Sequence, residues 1–117
     1  MAPDQLTVTL TARPPVKITK DSWPIIASSR DWEGEHEFQS FRKWKLFVRQ
    51  HEDGRAIVYG IFDSNYRGEG RRGGELLGPG EDICAAIQRV GEYLGFQQSL
   101  MDDCIADLPA VDIDEPT

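Results

Sequence analysis

No wholly apolar run in this chain exceeds five residues, far short of the roughly 20 that a helix needs to cross a bilayer, so no membrane span is expected. The N-terminal stretch MAPDQLTVTLTARPP has no basic segment leading into an apolar one and does not resemble a secretory signal, which makes the cytoplasm the expected compartment. Cysteine and histidine are scarce, with two of each. Cys84 and Cys104 have neither a second cysteine nor a histidine at ligand spacing, so no metal site is expected and both read as thiols, Cys84 as a small core residue and Cys104 as partly buried. His36 and His51 accompany no nucleophile or metalloprotease motif, and the expectation is a protein that is not an enzyme. Basic residues are nearly missing from the last third: residues 74–117 hold ten acids against one base, Arg89.

What is present is a globular composition, with 39% hydrophobic and 28% charged residues and three tryptophans in 117 residues. That length suits one domain with its own core and no need of disulfides. The net charge of −7 argues against tight, non-specific duplex DNA binding by the whole surface, but it averages over a split. Residues 40–72 carry eight bases against four acids. The chain therefore has a basic middle and an acidic end, each able to serve a partner.

The strongest local signal is residues 38–64, where two alternating runs flank Asp53-Gly54 and read as a long β-hairpin. A two-residue loop would pair Glu52 with Arg55, setting Val48 opposite Tyr59, Leu46 opposite Ile61 and Trp44 opposite Asp63, with Phe47 across Gly60. One face would then be apolar, and the other would offer Lys43, Lys45 and Arg49 around Phe47 and Phe62.

Residues 5–12 alternate Leu6, Val8 and Leu10 with threonines, a half-buried strand, and Val16 and Ile18 extend the chain beyond Pro14-Pro15. Thr19 is placed to cap a single helical turn before Pro24, and residues 25–29 form a further strand. Residues 65–80, with Gly68, Gly70, Gly73, Gly74, Gly78 and Gly80, read as a loop. Gly68 to Gly73 match the letters G-x-G-x-x-G, but further glycines and Pro79 intervene before a helix can start, so no nucleotide or other cofactor is expected. Glu81 and Asp82 open a helix with Ile83, Ala86, Ile87, Val90, Tyr93 and Leu94 on one face and Gly95 as its stop. A second helix over residues 96–106 groups Phe96, Leu100, Met101, Cys104 and Ile105. Residues 1–4 and 110–117 are expected to fray.

The expected fold is α+β: an antiparallel sheet of three or four strands built round the hairpin, with both C-terminal helices on its Trp44, Leu46, Val48, Ile57, Tyr59, Ile61 face. The expected function is a non-catalytic interaction module with a protein partner on an acidic patch of Glu81, Asp82, Glu92, Asp102 and Asp103. The alternative is single-stranded nucleic acid held by Lys43, Lys45, Phe47, Arg49 and Phe62 together with Arg67, Arg71 and Arg72 of the arginine-glycine loop. An open sheet edge, such as that of residues 6–10, would also allow a homodimer.

Overall fold

The computed structural model describes residues 4–30, 32–33, 42–64 and 70–110. Among them, β1 (Gln5–Val8) and β2 (Val16–Thr19) form a separate two-stranded antiparallel sheet. The larger antiparallel sheet runs β3 (Ile25–Ser28), β5 (Arg42–Gln50), β6 (Ala56–Ser64), β7 (Arg71–Leu77), and the short β4 (Trp32–Glu33) continues along β5 beside β3. Helices α1 (Ile83–Leu94) and α2 (Gln98–Ala106) close the chain. The fold is α+β, and among the described residues no helix is long and apolar enough to cross a membrane.

The large sheet is covered on both faces. Leu46 and Val48 of β5 and Ala56, Val58 and Phe62 of β6 meet Ile87, Val90, Leu94, Leu100 and Met101 of the helices. On the opposite face, Ile57 and Tyr59 are buried under Val8 and Ile18 of the small sheet, with Leu10 and Trp23 beside them. Every strand of the hairpin thus carries apolar side chains in both directions, as a sheet buried on two sides requires.

This arrangement corrects the expected register by one residue. The structure pairs Val48 with Val58, Leu46 with Gly60, Trp44 with Phe62 and Phe47 with Tyr59. The cause is the turn: His51, not Glu52, faces Arg55, with the His51 N–H donating to the Arg55 carbonyl at 2.8 Å and the Gly54 N–H donating to the His51 carbonyl at 2.9 Å. Glu52-Asp53-Gly54 is a three-residue loop. A two-residue type I′ loop needs left-handed backbone at both central residues, whereas this loop needs it only at Gly54, whose φ is 98°. Asp53 secures it by accepting the Arg55 N–H at 2.9 Å. Because side chains alternate, the one-residue slip moves all of β6 to the other face: Ile57, Tyr59 and Ile61 face the small sheet, not the helices.

The second correction is β7. Residues 71–77 are not loop but strand, pairing with β6 from Ala56–Leu77 to Phe62–Arg71. Its glycines are there for close approach. The chain beyond β1 crosses the β7 edge, where the Thr11 N–H donates to the Gly74 carbonyl at 2.9 Å and the Gly74 N–H donates to Thr11 Oγ1 at 3.1 Å. A Cβ on Gly74 would lie 2.7 Å from the Val58 carbonyl oxygen and 3.1 Å from that of Thr9.

The helices form where expected. Asp82 caps α1 by accepting the Ala85 N–H at 3.1 Å, and Gly95 ends it at φ 75°. Three side chains differ from expectation. Tyr93 is 58% exposed, lying across Gly73 at the β7 edge, while the cysteines exchange roles: Cys84 is exposed and Cys104 is fully buried. The α1–α2 crossing is tight at Gly91, where a Cβ would overlap Met101 Sδ.

Candidate functional site

The basic constellation expected on the hairpin does not assemble. Phe47 stacks on Tyr59 on the small-sheet face, with ring centroids 5.0 Å apart and Lys45 above it at 5.5 Å. Phe62 lies on the helix face and stacks on Trp44 at 5.0 Å. Two rings on opposite sides of one sheet cannot receive successive bases. Arg49 is only 8% exposed; its Nε donates to Tyr59 Oη at 3.0 Å and its Nη1 to the Trp23 carbonyl at 2.9 Å. It ties the small-sheet side to the hairpin. Lys43 is exposed at the far end of β5. Arg71 and Arg72 belong to β7, Arg72 pairing with Asp63 at 3.3 Å, and Arg67 lies outside the described residues, as do His36 and the terminal segments 1–3 and 111–117.

The acidic residues have a more ordered arrangement, and several have structural work. Asp82 is the α1 cap, and Glu81 accepts the Gly78 N–H at 3.0 Å. Asp103 accepts the Arg30 backbone N–H, with its Oδ2 also 3.8 Å from the Arg30 guanidinium. Asp107 accepts the Ser28 N–H at 2.9 Å. Residues four apart on a helix are separated by about 6 Å, and alternate N–H groups on a strand by about 6.6 Å. The two carboxylates therefore match the outward N–H groups of the β3 edge and its extension.

Glu92 and Asp102 are left for the outer surface. Gln88 and Gln98 face each other across the α1–α2 turn as a reciprocal amide pair, each donating to the other's oxygen, at 2.7 and 2.8 Å. Gln88 Nε2 also donates to Glu92 at 2.9 Å, and Gln98 Nε2 to Asp102 at 2.9 Å. Both amide NH2 groups are thereby fully used, and each holds one carboxylate on the exposed helix surface. The only cation on these helices, Arg89, is drawn away by a two-pronged contact with Glu75 of β7, at 2.7 and 2.9 Å, which raises its pKa through hydrogen bonding and charge. The helix layer consequently presents a negative surface.

The i, i+4 spacings Gln88–Glu92 and Gln98–Asp102 were visible in the sequence. The amide pair that joins them was not, because it depends on the path taken at Gly95. Ser29 was also missed: it is 1% exposed, and its hydroxyl accepts the Leu46 N–H at 2.9 Å, replacing a strand partner.

At the hairpin tip, His51 lies 5.1 Å from Trp23, ring to ring, and Arg55 covers Trp23 at 5.1 Å. Asp53 is held below its ordinary carboxylate range, first by the Arg55 N–H, with desolvation opposing and the Arg55 guanidinium adding to the depression. Cys104 is the reverse case: burial, followed by the charges of Asp107 and Asp103, pushes its thiol up to about 12. Among the described residues no group of three histidines, cysteines or carboxylates is placed to hold a metal ion. No protein-family model, no curated protein and no solved structure matches this chain.

Proposed function

We propose that this chain is a non-catalytic interaction module that binds a protein presenting lysines and arginines, through the outer surface of α1 and α2. The observation that carries the reading is the Gln88–Gln98 amide pair, which fixes Glu92 and Asp102 at its two ends. Carboxylates already held in place lose less side-chain entropy on meeting a cationic partner than free ones do. The diversion of Arg89 to Glu75 supports the same reading, since it turns the one cation borne by the helices themselves away from these carboxylates. The free thiols suit a cytoplasmic setting. The alternative, single-stranded nucleic acid on the hairpin, loses its main support when Phe47 and Phe62 face opposite ways and Arg49 is buried.

The test is fluorescence anisotropy with two labelled probes, an Arg/Lys-rich octapeptide and a single-stranded oligonucleotide, at about 50 and 200 mM salt. The reading expects the peptide to bind wild type with salt sensitivity, and at least threefold more weakly to the Glu92→Gln/Asp102→Asn variant. Equal peptide binding by that variant, or oligonucleotide binding lost on Lys43→Ala and Lys45→Ala, would overturn it.

A further inference from the structure

A β-sheet edge is a row of unmet backbone donors and acceptors, and proteins generally shield such edges. Among the described residues, three of the four sheet edges are shielded. The β3 edge begins at Pro24, carries a bulge between Ile25 and Ala27, and has its Ser28 and Arg30 N–H groups taken by Asp107 and Asp103. The β7 edge is clamped at Gly74 by Thr11 and bears the charges of Arg71, Arg72 and Glu75. The β2 edge carries Lys17 and follows Pro14-Pro15.

The β1 edge has none of these features. Residues 5–10, QLTVTL, contain no charge, proline or glycine. Lys20 lies opposite Asp4 in the β1–β2 register and its N–H donates to the Asp4 carbonyl at 2.7 Å. Asp4, Leu6 and Val8 therefore turn their backbone groups toward β2, and Gln5 and Thr7 turn theirs outward. Among the described residues, nothing pairs with the outward groups of Gln5 and Thr7. Beneath this edge opens a cavity of about 230 Å³ between Leu6 and Val8 above and Tyr59 and Ile61 below, with Arg72 at its rim.

We propose that the β1 edge is a strand-accepting site for an extended, acidic-flanked peptide segment of a partner protein. Added antiparallel to β1, such a segment hydrogen-bonds to Gln5 and Thr7, and its residues opposite Leu6 and Val8 point into the cavity. Apolar side chains are required there. Arg72 selects the flanking charge: its pair with Asp63 is 3.3 Å long with both side chains half-exposed, so a second carboxylate is accommodated. The site is separate from the acidic helix surface and stands without it.

The probe is the acetylated, amidated peptide Glu-Thr-Val-Thr-Leu-Thr-Glu, titrated into the isotope-labelled full chain and read by amide NMR shifts. Shifts are expected at Gln5, Thr7, Thr9, Ile61 and Arg72. Methylating the backbone nitrogen of the central threonine should weaken binding at least tenfold, and replacing both glutamates by lysine at least threefold. Thr7→Pro removes an outward N–H that the fold does not use, so it should abolish binding while the melting temperature stays near wild type. An absence of shifts at millimolar peptide, shifts confined to the helix surface, or binding indifferent to backbone methylation would overturn the proposal. The methylated peptide decides the matter even if Thr7→Pro fails to fold.

Discussion

Gly74→Ala tests the placement of β7 through the sign of a single stability change. Were residues 71–77 a free connector, alanine would restrict the unfolded chain and raise stability by about 0.4–1 kcal/mol. In the structure the added methyl would stand 2.7 Å from the Val58 carbonyl oxygen, 2.9 Å from Tyr59 Cβ and 3.1 Å from the Thr9 carbonyl oxygen. None of these is the flexible end of a side chain, so either β6 or the crossing segment must shift. Overpacking of this kind costs about 1–3 kcal/mol, and the two Thr11–Gly74 hydrogen bonds add about 0.5–1.5 kcal/mol each if the crossing segment is expelled. The sum is about 2–6 kcal/mol, which for a chain of this size lowers the melting temperature by about 8–24 °C. Urea denaturation should show a lower midpoint with an unchanged slope. Gly70→Ala is the control, since its Cβ meets only the Phe62 carbonyl oxygen at 3.4 Å. A Gly74→Ala protein as stable as wild type, or more so, would refute the β7 assignment.

Other consequences are as direct. Gly91→Ala drives a methyl into Met101 and should cost about 1–3 kcal/mol; Met101→Ala in the same chain should return part of that loss in a double-mutant cycle by urea denaturation. Arg49→Met strands the Tyr59 hydroxyl and the Trp23 carbonyl and should lower stability by about 1–3 kcal/mol while leaving peptide and oligonucleotide anisotropies unchanged. A thiol reagent should titrate only Cys84 in the native protein and reach Cys104 on denaturation. Because the Cys104 thiol is pushed up to about 12 in the folded chain, the unfolded state loses its proton first as pH rises. Its contribution to stability is complete below about pH 9 and is lost progressively towards pH 12, an effect that Cys104→Ala should remove from the alkaline limb of the stability profile.

How much of this was legible in the sequence depended on the distance over which each feature is decided. The α1 boundaries follow from Asp82 and Gly95, both local caps, and α2 from its own apolar spacing. The strand at Leu6 was marked by alternation and a strand was expected at residues 25–29, whereas β2 was read only as extended chain beyond Pro14-Pro15. The hairpin was evident, but its register turned on whether Asp53-Gly54 fills a two- or a three-residue loop, and both loops accept that dipeptide. The slip moves Phe62, the one candidate site residue on β6, from the Phe47 face of the sheet to the helix face. For β7, the glycines that signalled a loop are the feature that lets the Thr9–Thr11 segment cross the strand, a tertiary fact absent from local pattern. The acidic residues of the candidate surface could be listed from the sequence, and the local contacts of Glu81, Asp82, Glu92 and Asp102 span three or four residues, whereas the edge-covering role of Asp103 and Asp107 depends on partners more than seventy residues away.

The hairpin register decides what the hairpin can bind and what it buries. In the observed pairing, Trp44–Phe62, Leu46–Gly60 and Val48–Val58 are the non-hydrogen-bonded pairs, whose Cα atoms lie about 4.5 Å apart. NMR nuclear Overhauser effects between their Hα protons are therefore the most direct measurement. Strong Hα–Hα contacts for Val48–Val58 and Trp44–Phe62 are predicted; contacts of Val48 with Tyr59 and of Trp44 with Asp63 in their place would contradict the structure and restore the aromatic-basic face of the hairpin.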